Sequence, residues 1–298
     1  MTLTLFERGV VVLVLAEGLA FAFLLIGALA VWTFHRFPAR TPYPEFTFAQ
    51  PAGRVQRELL RLRSWIALLA ATGLVMALAA TALGVAVTSR LPFVPLWWVK
   101  WLVVMLATFV LWGFSWVTLL VLRAFLAARR EWHAKLAVAG VLKGFALAGH
   151  QVYHDVVVAD LAIDHVVVGP RGVFLVNVAV RVKPRTAAGA VVKLLPVERQ
   201  LDLGVVREFE AVFAATRRVT EMGRALEKLL GHKVRPLSAI VVPGWETAPT
   251  EDGDHLLFNL ANLASLPSWA KPQHGLLTED LPAITRQLVT LQRVERPL

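Results

Sequence analysis

The chain has 298 residues, carries a formal net charge of +10 and contains no cysteine. The missing cysteines exclude disulfides, thiolate zinc sites and cysteine nucleophiles. Hydrophobic residues make up 57% and charged residues 17%, and the apolar excess is confined to the first part of the chain, up to Ala128. Ten Lys/Arg against four Asp/Glu precede residue 126, and 21 against 17 follow it. Most of the positive excess therefore flanks apolar segments, where basic residues set membrane topology. The high pI is then weak support for nucleic-acid binding.

A helix needs about 20 apolar residues to cross the hydrocarbon core of a bilayer. Three segments qualify: 9–32, 65–88 and 96–122. The third opens with Trp97, Trp98 and Trp101, side chains of the kind that sit at a bilayer interface, and Lys100 lies among them. The N-terminal flank carries Arg8, and the loop between the second and third segments carries Arg90. The loop after the first segment carries Arg36, Arg40, Arg54, Arg57, Arg61 and Arg63, and Arg123, Arg129, Arg130 and Lys135 follow the third. The positive-inside rule places the N-terminus outside and the C-terminal part in the cytoplasm of a multi-pass cell-membrane protein. Ala28-Leu29-Ala30 has the small residues of a signal-peptide cleavage site, but the apolar run is long and its basic residues come after it. Glu17 within the first segment is read as a packing carboxylate, the other reading being a proton or ion site.

The chain thus divides into a transmembrane domain, 1–128, and a soluble α/β domain, 129–298. Helical periodicity runs over 123–148. Segments 151–158, 161–168 and 173–180 are rich in Val and Ile and predict three consecutive strands, the last two joined through Gly169-Pro170-Arg171-Gly172. A fourth strand is expected at 190–195. An amphipathic helix is expected over 205–230, with Phe209, Val212, Phe213, Val219, Met222, Leu226 and Leu229 on its apolar face and Gly231 as C-cap. A strand over 236–242 and helices over 259–266 and 280–292 complete the layout. Glu251-Asp252-Gly253-Asp254 reads as a solvated loop.

The run His154-Asp155-Val156, then Ile163-Asp164-His165-Val166-Val167-Val168-Gly169-Pro170-Arg171-Gly172-Val173-Phe174, resembles the nuclease-related domain (NERD) family of the restriction-endonuclease-like, PD-(D/E)xK, group. The strand ending Val241-Val242-Pro243-Gly244 resembles the family's next core strand, so the likeness spans roughly residues 129–262. It implies a restriction-endonuclease-like α/β fold and phosphodiester cleavage with Mg²⁺ held by carboxylates. The metal activates water and neutralises developing charge, and a nearby lysine orients the water. The first carboxylate falls on Asp164, and a glutamate on the leading helix falls on Glu131. The Glu-x-Lys pair falls on Asn177-Val178-Ala179, which lacks both the second carboxylate and the lysine. If the third strand runs on, Arg181 and Lys183 continue the same face; arginine stays charged, so Lys183 is the candidate base, roughly 20 Å along the strand. The candidate site is therefore Asp164, Asn177, Glu131 and Lys183, with Asp164 and Asn177 as the Mg²⁺ ligands if the centre is active and no cofactor otherwise.

Residues 217, 218 and 224, all arginine, line one side of the long helix and read as a solvated face, with phosphate contact as the alternative. His150 and His154 lie four apart on a strand, where the helical zinc motif does not apply. No P-loop, dinucleotide fingerprint or nucleophile elbow is present. Three functions remain. The chain is a membrane-anchored module with a dismantled nuclease centre that binds DNA, RNA or a membrane protein partner at the inner face; or an active Mg²⁺-dependent nuclease; or an oligomeric membrane sensor or transport component.

Overall fold

In a computed structural model, the structure describes residues 51–90, 97–170, 172–183, 190–204, 206–248, 254–269 and 276–293. The chain divides into two compact units, Met1–Thr41 with Arg57–Arg129, and Pro42–Gln56 with Arg130–Leu298. Two long helices come first, α1 (Gly53–Arg90) and α2 (Trp97–Leu147). Among the described residues, one helical segment, Trp112–Leu147, is long and apolar enough to cross a membrane. It overlaps the third expected span. The second expected span falls within α1, and the first lies outside the described residues.

The second unit is built on a mixed five-stranded sheet. Strands β1 (Gln151–Val158), β2 (Leu161–Gly169) and β3 (Gly172–Val178) form an antiparallel meander. β7 (Leu237–Val241) and β9 (His255–Phe258) then add in parallel, giving the order β1-β2-β3-β7-β9. The β1–β2 hairpin closes through Ala159 and Asp160, both at positive φ (47° and 62°), the conformation a two-residue turn of this twist requires. At the next hairpin Gly169 pairs with Gly172. A Cβ on Gly169 would stand 2.2 Å from the His150 ring, so the glycine there is a packing requirement.

The near-continuous apolar runs of β2 and β3 reflect burial on both faces of the sheet. On one face, Val138, Leu142 and Phe145 at the end of α2 pack with Val167, Phe174 and Val176. On the other, Met222 and Leu226 of α3 (Glu210–Leu230) and Ile284 and Leu288 of α4 (Leu281–Arg293) pack with Tyr153, Val166, Val173 and Leu175. A second sheet, β6-β5-β4-β8, is made from β4 (Val191–Leu195), β5 (Gln200–Asp202), β6 (Arg207–Glu208) and β8 (Glu246–Thr247). Val192 and Leu201 of this sheet share a core with Val212, Ile240 and Trp245.

The expected strands over 151–158, 161–168, 190–195 and 236–242 appear within one residue of those bounds. Helix α3 starts at Glu210 and not at 205, because the chain first forms the short β6. Its C-cap is Gly231 at φ 76°, with its N–H bonded to Glu227 O, as the glycine's freedom at positive φ allows. Of the residues expected on the apolar face, Val212, Met222 and Leu226 are buried, joined by Ala215, whereas Phe209, Phe213 and Leu229 are 65%, 58% and 38% exposed. The stretch 259–266 gives a 3-10 turn at Leu263–Trp269. The acidic loop at 251–254 lies, apart from Asp254, outside the described residues.

Candidate functional site

The ladder aligns three polar residues at one level of the sheet. His154 faces His165 and Val156 faces Ile163, so Asp155 stands opposite Asp164. His165 faces Val176, which puts Asp164 opposite Asn177. The middle carboxylate is buried, and both of its oxygens are engaged. Oδ1 lies 2.7 Å from Lys135 Nζ, and Oδ2 accepts the Val178 N–H at 2.8 Å. Lys135 is buried too, and its ammonium reaches a second carboxylate, Glu131 Oε1, at 2.7 Å, one helical turn back on α2. Asn177 Oδ1 accepts a hydrogen bond from Arg218 of α3 at 2.9 Å, and its amide lies 3.4 Å from Leu175 O.

Burial alone would push the Asp164 carboxyl up. The Lys135 ammonium and the Arg218 guanidinium, with the hydrogen bonds from Lys135 and Val178, outweigh it and hold its pKa below the ordinary carboxylate value. Asp155 shifts the other way. Burial raises its pKa, and the neighbouring Asp164 charge adds to that, against the opposing pull of Lys135 and backbone N–H groups. Its backbone is left-handed (φ 50°), a conformation aspartate tolerates better than most residues. The turned side chain accepts the Arg54 N–H at 3.3 Å, capping the start of α1 from a distant strand.

Beside this row, His154 and His165 approach Nδ1 to Nδ1 at 2.7 Å with rings at 89°. One Nδ1 carries the proton and the other accepts it. Burial pushes the His165 imidazole down to about 4, and holds His154 well below the ordinary histidine value with the His165 charge adding to the effect. Gln292 of α4 closes the pair by donating to His154 O at 2.8 Å.

Glu131, Asp164 and Asn177 thus fall in one linked cluster. Lys183 is placed elsewhere. β3 ends at Val178, so the strand alternation that would carry residues 181 and 183 onto the same face stops. Arg181 pairs with Glu208, and Lys183 Nζ stands 5.3 Å over the Trp245 ring. Ala179 is buried in the apolar core shared with Val192 and Leu201. Lys135 and Arg218 complete the cluster and escaped the sequence reading as site residues. The signal for Lys135 is its i, i+4 spacing from Glu131 on a helix. Arg218 follows Arg217 and is indistinguishable from it in sequence, yet turns inward. Among the described residues, no group of three His, Cys, Asp or Glu side chains is placed to hold a metal ion.

A second feature lies along α3. A groove of about 290 Å³ is lined by Phe209, Phe213, Thr216 and Thr220 with Arg199, Arg217 and Glu198, and by the Arg224–Glu221 ion pair (2.6 Å). The aromatic rings left uncovered by the core thus stand beside cationic side chains, a combination that suits stacking on a base next to a phosphate.

Comparison with protein-family models, with curated proteins and with solved structures finds no match to this chain.

Proposed function

We propose that the chain is a membrane-anchored, nuclease-related module whose centre does not cleave, and that it binds nucleic acid at the inner membrane face. The observation that carries this reading is the closed state of the cluster. An Mg²⁺ ion needs oxygen ligands that face open space and that no cation already occupies. The Asp164 oxygens are committed to Lys135 and Val178, and the Asn177 oxygen to Arg218. A neutral Asn177 and an apolar Ala179 where the resemblance implies glutamate and lysine agree with it.

The anchor reading rests on exposed apolar surface. Met105, Phe109 and Trp112 of α2 are 67%, 69% and 65% exposed, more than water tolerates in a contiguous patch without a partner or a bilayer. Together with the three apolar segments and their basic flanks, this supports a multi-pass anchor of three spans with the C-terminal unit in the cytoplasm. The groove along α3 is the surface with the chemistry for a single strand.

The test is fluorescence anisotropy of a labelled single-stranded oligonucleotide with the full chain in uncharged-lipid nanodiscs. Binding is expected to weaken steeply from 50 to 200 mM salt, by about sevenfold for every two phosphates contacted. The combined change Phe213→Ala and Arg217→Ala is expected to remove it. Absence of binding at 50 mM salt rejects nucleic acid and makes a membrane protein partner the better reading.

A further inference from the structure

We infer that Lys135 is a resident cation, performing within the carboxylate cluster the charge compensation that a bound divalent ion performs in metal sites, so that the cluster is complete without metal. The inference rests on the closed-cluster part of the functional reading and not on nucleic-acid binding, since it concerns how the cluster is held together.

The argument starts from cost. A carboxylate removed from water must find an opposite charge and hydrogen bonds, or it destabilises the fold by several kcal/mol. Asp164 is buried and Asp155 stands beside it in the sheet, so two carboxylates share one level of the ladder with Glu131 above them. Two cations answer them. Arg218 reaches the row from α3 through Asn177. Lys135 reaches it from α2 and touches Glu131 and Asp164 at the same distance, 2.7 Å. Its nitrogen therefore bridges two carboxylate oxygens from different elements, the position a small hard cation would also take. An ammonium does this with directed N–H donors, whereas Mg²⁺ would require closer oxygens and would keep several waters of its own. The Lys135 side chain is 9% exposed, which leaves little room for such a hydration shell while the lysine is present.

The ligands thus fit a monovalent ammonium and do not fit a metal as long as Lys135 stays. Removing the amine should uncover two carboxylate oxygens facing one void, within the one or two carboxylates through which proteins hold Mg²⁺, with water completing its shell. The experiment uses the full chain in detergent micelles. Thermal midpoints are measured in EDTA and in 5 mM MnCl₂, with NaCl added to match ionic strength. Wild type is expected to show the same midpoint in both. Lys135→Ala is expected to unfold earlier in EDTA and to regain about 3 °C or more in Mn²⁺. Asp164→Asn added to Lys135→Ala should abolish that gain. Lys135→Arg, which keeps a cation, should stay insensitive to Mn²⁺. Should Lys135→Ala be unfolded in EDTA, recovery of its folded fraction in Mn²⁺ supports the inference equally. The Mn²⁺ electron paramagnetic resonance signal provides a second readout, free with wild type and diminished with Lys135→Ala. A wild-type midpoint that rises in Mn²⁺ and loses the rise on Asp164→Asn overturns the inference. So does a Lys135→Ala protein that neither gains stability nor quenches the Mn²⁺ signal. Oligonucleotide anisotropy on the same preparations reports separately on nucleic-acid binding.

Discussion

Replacing Asp164 by alanine leaves the Lys135 ammonium buried with Glu131 as its remaining ion-pair partner, and that glutamate is 44% exposed. It also strips the Val178 N–H of its acceptor. Breaking a buried ion pair by removing one member costs about 3–5 kcal/mol, because the surviving charge stays desolvated. A domain of this size loses about 2–4 °C per kcal/mol, so the midpoint of the C-terminal unit should fall by about 10 °C. The assay is a thermal scan of the full chain in micelles, followed by pulse proteolysis to score the C-terminal unit. The double change Asp164→Leu with Lys135→Met should recover part of the loss, since it removes both buried charges but leaves the Val178 N–H without its acceptor. A fall of less than about 2 °C for Asp164→Ala would mean that the carboxylate is hydrated and the cluster open.

The histidine pair predicts acid lability. The His165 pKa is about 4 in the fold and about 6.5 when unfolded, so below pH 6.5 the unfolded chain takes up a proton that the folded chain refuses. Stability from this group is complete above pH 6.5, falls as the pH drops towards 4, and amounts to about 3 kcal/mol. Midpoints measured from pH 7.5 to 4.5 should decline, and a flat profile would contradict the buried neutral pair. At Asp155, the change to asparagine keeps the acceptor for Arg54 and suits the left-handed backbone, so its effect should stay within about 0.5 kcal/mol. Alanine there should cost about 1–2 kcal/mol, and equal losses for the two would refute the capping role. Gly231→Val should destabilise α3 by about 1 kcal/mol or more, read as an earlier denaturant midpoint, because a β-branched residue resists φ 76°.

The dense Val/Ile runs and the Gly-Pro-Arg-Gly turn made the meander legible, because a strand buried on both faces is apolar throughout. The strands that sequence missed are β5, β6, β8 and β9, two to four residues each, too short for any alternation to show. Phe209 and Phe213 satisfy helical periodicity, but the apolar face of α3 is wider than the surface the sheets cover. Asp164 and Asn177 could be paired from strand register alone. Lys135 and Arg218 could not, since each arrives from a different helix and only packing brings them to the row. Lys183 was misplaced by extending a strand that ends at Val178, where the chain turns away towards Trp245.

The central claim is that the Asp164 cluster is closed and does not cleave. It is tested most directly by incubating plasmid and single-stranded substrates with the full chain in nanodiscs, with 5 mM Mg²⁺ or Mn²⁺, for wild type and Asp164→Asn. The predicted result is no cleavage above background and no difference between the two proteins. Metal-dependent cleavage by wild type that Asp164→Asn abolishes would contradict it.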